Sequence, residues 1–244
     1  MTMITEIAPD VFRISTYAAD ADLQFGQFLI RDDEPLLFHT GPRAMFPIVR
    51  DALATLVDPR TLRWIGFSHF EADESGALAE WLALAPQSQP VCSFVGALVN
   101  VNDAVDRPAR PLADDEVLVT GRHRLRFLQT PHVPHCWDAG LLFDETTGTL
   151  FCSDLLTQNG DVAPTGDLAT VVERHRTSVA TLEAGPLAAY MPYTPHTEGV
   201  MRRLAALAPR VVATMHGSVL VGDGAAGLRE AAEIMRATFG AGPR

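Results

Sequence analysis

Four strand-like apolar runs in this chain each end on a residue that can bind a metal. GFSH ends at His69, RFLQTPH at His132, TLFCSD at Asp154 and VVATMH at His216. Strand ends gather along one rim of a sheet, so side chains remote in sequence can meet there, on loops held by a rigid scaffold. A fold that satisfies this pattern needs several strands running in a common direction.

The rest of the pattern supplies them. VFRIS and FGQFLI read as strands, and FLI-RDDEP-LLFHT reads as a hairpin. RAMFPIVRDALATL has helical periodicity, LRWIGFSH is a buried strand, and ESGALAEWLALA is a helix ended by Pro86. VCSF is a further strand followed by a short helical piece, and DRPARPLADDE is a Pro-rich surface connection. The second half repeats the theme. HRLRFLQTPH is a strand, AGLLFDETTGTLFCSD a hairpin, and Val171 to Leu187 a helix. PHTEGVMRRLAALA is a helix, RVVATMHG a strand and GLREAAEIMRATFG a closing helix. Each half opens with β and closes with α. The expected fold is α/β, two sheets face to face with helices outside, a four-layer αββα sandwich in one domain over residues 1–244.

Charge and cysteine content narrow the function. The formal net charge is -11, and the basic residues are scattered, so nucleic acid is excluded as a partner, since phosphate neutralisation needs clustered Lys and Arg. No apolar stretch approaches membrane-spanning length. The start MTMITEIAPDVFRIS lacks the basic-then-apolar order of a signal peptide, and the expected location is cytoplasmic. Cys92, Cys136 and Cys152 form no CxxC pair and fit a reducing compartment, with packing the expected role of each.

The densest chemistry lies in SHFEADES, where His69, Glu71, Asp73 and Glu74 fall within six residues. Taken alone, three carboxylates at a helix start read as a solvated acidic turn, favoured by the helix dipole. Taken alone, Asp154 reads as a turn or capping residue after a strand. The coincidence of four ligand-bearing strand ends, one carrying His-x-Glu-x-Asp, favours half of a metal site. Carboxylates are harder donors than imidazoles and shift preference from zinc towards iron or manganese.

HFEADE followed by HVPHCWD, SDL and MHG resembles the metallo-β-lactamase fold superfamily. Most of that superfamily carries His-x-His-x-Asp-His and zinc. Glu71 stands where the second His would be, which resembles the di-iron domain of flavodiiron proteins. The resemblance covers nearly the whole chain. It implies that His69, Glu71 and His132 hold one metal, Asp73 and His216 hold the other, and Asp154 bridges them. Two Fe ions are implied, with two Zn or Mn ions as the alternative. Glu74 departs from the pattern, standing where the family has His; it ligates as a carboxylate, turns away as an acid supporting the ligands, or caps the helix beside a solvent-facing Ser75. Flavodiiron proteins continue into a flavodoxin-like domain, whereas no Gly/Ser/Thr-rich phosphate loop follows a strand here. No flavin is therefore expected in this chain.

The implied function is binding or reduction of O₂ or NO, with electrons from a separate redox donor protein and a homodimer as the assembly. An oxygenase acting on an organic substrate is a related reading. A dinuclear zinc or manganese hydrolase, turning a bridging hydroxide on an ester, thioester or phosphodiester, is the alternative from another class; a binding module with structural metals is the third. Around the ligands, His135 either orients or contacts substrate or is a turn residue, and His39 supports the ligands or sits in the core. Tyr193 and His196 are expected to line the pocket. His123 and His175 lie among arginines and read as surface.

Overall fold

The computed structural model describes residues 2–240. Strand alternation sorts its apolar residues onto distinct faces. Leu29 and Leu37 point to one core, while Phe28, Ile30, Leu36 and Phe38, their immediate neighbours, point to another. In the second half, Leu142 and Phe151 face that same central core, and Leu141, Phe143, Leu150 and Cys152 face a third. Three cores separated by two sheets make four layers.

The first sheet takes its strands in sequence order: β1 (Thr2–Ala8), β2 (Val11–Ala18), β3 (Leu23–Ile30), β4 (Leu36–Phe38), β5 (Trp64–Gly66), β6 (Gln89–Ser93) and β7 (Arg110–Leu112). β1 to β4 pair antiparallel, and β4 to β7 pair parallel. The second sheet contains β8 (Val117–Val119), β9 (Arg124–Gln129), β10 (Gly140–Asp144), β11 (Thr149–Ser153), β12 (Thr165–Gly166), β13 (Val211–Thr214) and β14 (Val219–Val221), ordered β12-β14-β13-β11-β10-β9-β8. Phe151 joins the sheets across the central core, with ring centroids 5.2 Å from Phe28 and 5.7 Å from Phe38.

Helices cover both outer faces. α1 (Phe46–Leu53) contributes Val49 and Leu53 to the first outer core; α2 (Ala72–Ser75) is one turn; α3 (Leu78–Leu84) contributes Leu78, Trp81 and Leu82. α4 (Leu168–Glu183), α5 (Thr197–Ala206) and α6 (Gly224–Phe239) cover the second sheet through Val171, Met201, Leu204, Leu228 and Met235. The four-layer αββα expectation is met.

Several details differ from the sequence reading. ESGALAEWLALA is two helices, because the Ala77 N–H leaves the helical ladder for Gly41 O at 3.0 Å and Thr40 Oγ1 at 3.1 Å. The Pro-rich connection contains β7, an edge strand, where Pro111 can sit because half its backbone groups have no ladder partner. β1 also escaped the reading. His123 and His175 are not surface residues. His123 is buried with Nδ1 2.8 Å from Asp144 Oδ2, and His175 is buried with Nδ1 3.0 Å from the Thr157 carbonyl.

Candidate metal centre

One rim of the sandwich carries the candidate groups. His39 follows β4, His69 lies three residues past β5, Asp154 follows β11, and His216 lies two residues past β13. β4 and β5 run parallel, as do β11 and β13, so these ends coincide in space. β9 is antiparallel to β10 and β10 to β11, so β9 also ends on this rim, feeding the loop that carries His135. Two sharp turns release the side chains: His39 and Ser153 take left-handed φ of 66° and 52°. Each such turn costs a non-glycine residue roughly 1–2 kcal/mol, which the surrounding sheet must offset.

The donors form two groups that share Asp154. In the first, His135 Nε2 lies 2.9 Å from Asp154 Oδ2, and His69 Nε2 lies 3.5 Å from the same oxygen. Glu71 Oε2 closes this group, 3.1 Å from His69 Nε2 and 3.5 Å from His135 Nε2. In the second, His216 Nε2 lies 3.3 Å from Asp154 Oδ1 and 3.2 Å from Asp73 Oδ2. His216 Nδ1 bonds to the Gln24 carbonyl at 2.9 Å, which aims Nε2 inward. Glu74 Oε2 sits 3.7 Å from His69 Nε2.

These groups fit metal ions. Two donors each ~2.1 Å from one ion at right angles are ~3 Å apart, close to the separations found. Two buried acceptors, Glu74 Oε2 and Asp154 Oδ1, have no hydrogen-bond donor. Leaving a buried acceptor unmet costs about 1–3 kcal/mol, more when it is charged; a cation meets both. The set is oxygen-rich, with four carboxylates and three imidazoles, and Asp154 offers one oxygen to each group.

Electrostatics follow from this crowding. Burial draws both His216 and His135 towards neutrality, but the Asp154 carboxylate facing them outweighs it and holds them up at about 10 and about 11. Burial also works against Asp154, yet His135 and His216 hold its carboxyl well below the usual carboxylate range. Glu74 goes the other way: burial, then the Asp154 charge, push it well above that range. His39, fully buried, is pulled down to about 3 by desolvation.

The structure brings His69, Glu71, Asp73, Glu74, Asp154 and His216 together, and places one expected ligand elsewhere. His135, not His132, joins the first group. The His132 N–H donates to Cys136 O at 2.8 Å in a tight loop, and its ring belongs to none of the donor clusters among the described residues. HVPHC offered two histidines three apart; the turn geometry that chooses between them is not encoded in periodicity. The capping alternative for Glu74 fails, since both Glu74 and Ser75 are buried rather than solvated.

A cavity of ≈ 320 Å³ opens onto the cluster, walled by Leu23, Leu182, Leu187 and Tyr190. Sequence reasoning missed Tyr190 and chose Tyr193 and His196 instead. Tyr193 turns its hydroxyl to Glu198 at 2.9 Å in a groove beside α5 and α6, and His196 is exposed at the start of α5. His39 lies behind the ligands, its Nε2 3.1 Å from Ser68 Oγ. Cys92 and Cys152 pack in cores, whereas Cys136 lies beside the site, Sγ 3.5 Å from His135 Nδ1.

A family model described as ODP family beta lactamase matches residues 23–217. Rubredoxin-oxygen oxidoreductase of Megalodesulfovibrio gigas is 23% identical over 209 residues, 81% of this chain and 49% of that protein. Diflavin flavoprotein A 1 of Synechocystis sp. is 28% identical over 145 residues, 55% of this chain and 25% of that protein. The chain thus spans about a quarter to a half of the length of these curated relatives. Among solved structures, rubredoxin oxygen:oxidoreductase from Desulfovibrio gigas superposes with a TM-score of 0.80 at 18% identity, over 95% of this chain and 61% of that one. The flavodiiron protein from Giardia intestinalis gives 0.79 at 16% identity, over 96% and 59%. These superpositions concern the fold.

Proposed function

The chain belongs to the ODP family of beta-lactamase-fold proteins, and from that premise we propose that it is a non-haem di-iron protein that binds or reduces O₂ or NO. The observation that carries this reading is Asp154, whose two oxygens face two separate sets of imidazoles and carboxylates. Binding of a diatomic ligand and electron transfer to it is the chemistry an iron pair supplies when bound.

The chain's own residues have definable parts. His69, Glu71, His135 and Asp154 would hold one iron, and Asp73, His216 and Asp154 the other, with Glu74 beside them. Gln24, through its carbonyl, fixes the His216 ring. Leu23, Leu182, Leu187 and Tyr190 keep the approach apolar, which suits a small uncharged diatomic and disfavours bulk water. The relatives named as oxygen oxidoreductase and flavodiiron protein support the choice of substrate and metal. Electrons arrive in trans from a separate donor protein, the chain pairs as a homodimer, and it works in the cytoplasm, where Cys92, Cys136 and Cys152 stay free thiols. No helix of the described residues is long and apolar enough to cross a membrane.

Metal analysis by plasma mass spectrometry, followed by anaerobic reduction and exposure to O₂ or NO under absorbance, tests the reading. Close to two irons per chain and a ligand-dependent spectrum are expected. Zinc or manganese with a silent spectrum replaces it by the hydrolase reading, and esters, thioesters and phosphodiesters become the substrates to screen.

A further inference from the structure

Behind His69 lies a set of buried polar groups that ligation alone does not explain. Ser68 Oγ has three polar neighbours: Ser153 Oγ at 2.8 Å, His69 Nδ1 at 3.0 Å and His39 Nε2 at 3.1 Å. A hydroxyl has one hydrogen to donate and two lone pairs to accept with, so three contacts saturate it and fix every direction once one is known. His39, Ser68 and Ser153 come from the ends of β4, β5 and β11, so the contact between the serines joins the two sheets.

Two observations set the directions. His39 Nδ1 is buried with no partner, in a ring whose centroid lies 4.5 Å from that of Phe38, so a proton there would be an unmet donor. The His39 proton therefore sits on Nε2 and is donated to Ser68. His69 turns Nε2 to Glu71, Asp154 and Glu74, and to hold a metal there it must keep its proton on Nδ1, where it too is donated to Ser68. Both lone pairs of Ser68 are then used, and its hydrogen goes to Ser153 Oγ. Ser153 Oγ also lies 3.4 Å from His69 Nδ1 and can accept a share of the proton there, so the Ser153 hydrogen is left for Glu74 Oε1 at 3.4 Å or Asp154 Oδ2 at 3.5 Å. The opposite order sends the Ser68 hydrogen to a histidine. Sent to His69, it forces the proton onto Nε2, where the metal belongs; sent to His39, it leaves an N–H on Nδ1 with no acceptor.

We infer that His39, Ser68 and Ser153 form a one-way hydrogen-bond chain that locks His69 with Nε2 bare towards the metals. They are positioning residues, since none belongs to either donor group, and the inference rests on the metal-binding reading above. Zn²⁺ serves as the probe because it needs no redox chemistry. Chelator competition on Ser68→Ala and His39→Leu is expected to show Zn²⁺ affinity lowered about 10- to 100-fold, the range for removing partners of a ligating histidine. His39→Gln, whose amide can still donate to Ser68, stays within about threefold of the parent. Nitrogen-15 spectra of the His69 ring are expected to show a proton on Nδ1 with and without Zn²⁺. A bare Nδ1 overturns the inference, as does parental affinity in both Ser68→Ala and His39→Leu. Weak binding in His39→Leu that His39→Gln does not restore assigns the effect to packing and overturns it as well. A parent chain that keeps the Nδ1 proton but binds no metal ion counts against the metal reading and not against the orientation of the ring.

Discussion

His135 Nε2 lies 2.9 Å from Asp154 Oδ2, while the other oxygen of that carboxylate faces His216 Nε2 at 3.3 Å. One aspartate thereby faces both donor groups, and the histidine that completes the first is not the one at which the apolar run ends. His135→Ala is expected to lower metal content from two ions per chain to about one, with affinity at the first position falling about 100-fold or more. His132→Ala keeps both ions. Mass-spectrometric metal counts decide it, and the reverse pattern returns the role to His132.

Glu71 offers the oxygen donor that separates this set from an imidazole-rich one, and its side chain is half exposed beside His69 and His135. Glu71→His is expected to raise the zinc-to-iron ratio about tenfold in protein grown with both metals, since imidazole suits zinc better than a hard carboxylate does. Unchanged iron loading refutes the argument from ligand hardness.

His175 gives a pH dependence away from the metals. Burial pulls it down to about 4, from an ordinary value near 6.5. The unfolded chain therefore takes up a proton first as pH falls, and stability declines between about pH 6.5 and pH 4, by about 3 kcal/mol over that window. His175→Gln keeps a donor for the Thr157 carbonyl but does not titrate. Urea midpoints at pH 7 and pH 4.5 are expected to fall less for this variant than for the parent; equal falls exclude His175 as the source.

At the opposite rim, Asp144 accepts from His123, Thr147 and the Thr146 N–H. Although burial opposes both charges, the pairing holds Asp144 below its ordinary range, and the Asp144 bond holds His123 above its own. The aspartate share of this stability is present above about pH 4 and lost as pH falls through its lowered value. The histidine share is present below about pH 6.5 and lost as pH rises through its raised value. Asp144→Asn is expected to lower Tm by about 5–10 °C, with the larger loss at pH 5.5 rather than pH 9. Calorimetry at the two pH values checks the order.

Much of this was legible from sequence because periodicity reports which way a strand faces, and ligands at strand ends inherit that order. His69, Asp154 and His216 were found in this way. His132 was chosen over His135 because a run of alternation stops at the turn, and the loop around Pro131 and Pro134 is set by its own internal hydrogen bonds. His123 and His175 were misread through their arginine neighbours. In fact Arg122 and Arg124 alternate outward around an inward His123, and Arg174 and Arg176 flank His175 on a helix, where one residue of three turns to the core. β1 shows little burial of its own, and its strand character comes from pairing with β2, as at Thr2 opposite Thr16.

The break between α2 and α3 also bears on how the centre fills. Thr40 N–H donates to Glu74 O at 2.7 Å, Ala77 N–H is held by Gly41 O and Thr40 Oγ1, and Phe70 N–H is held by Asp138 Oδ2 at 3.0 Å. The segment bearing His69, Glu71, Asp73 and Glu74 is thus moored at both ends by protein groups alone. No group outside the chain is needed to hold that segment in shape, so on the metal-binding reading chelation is expected to strip the ions and leave the fold standing.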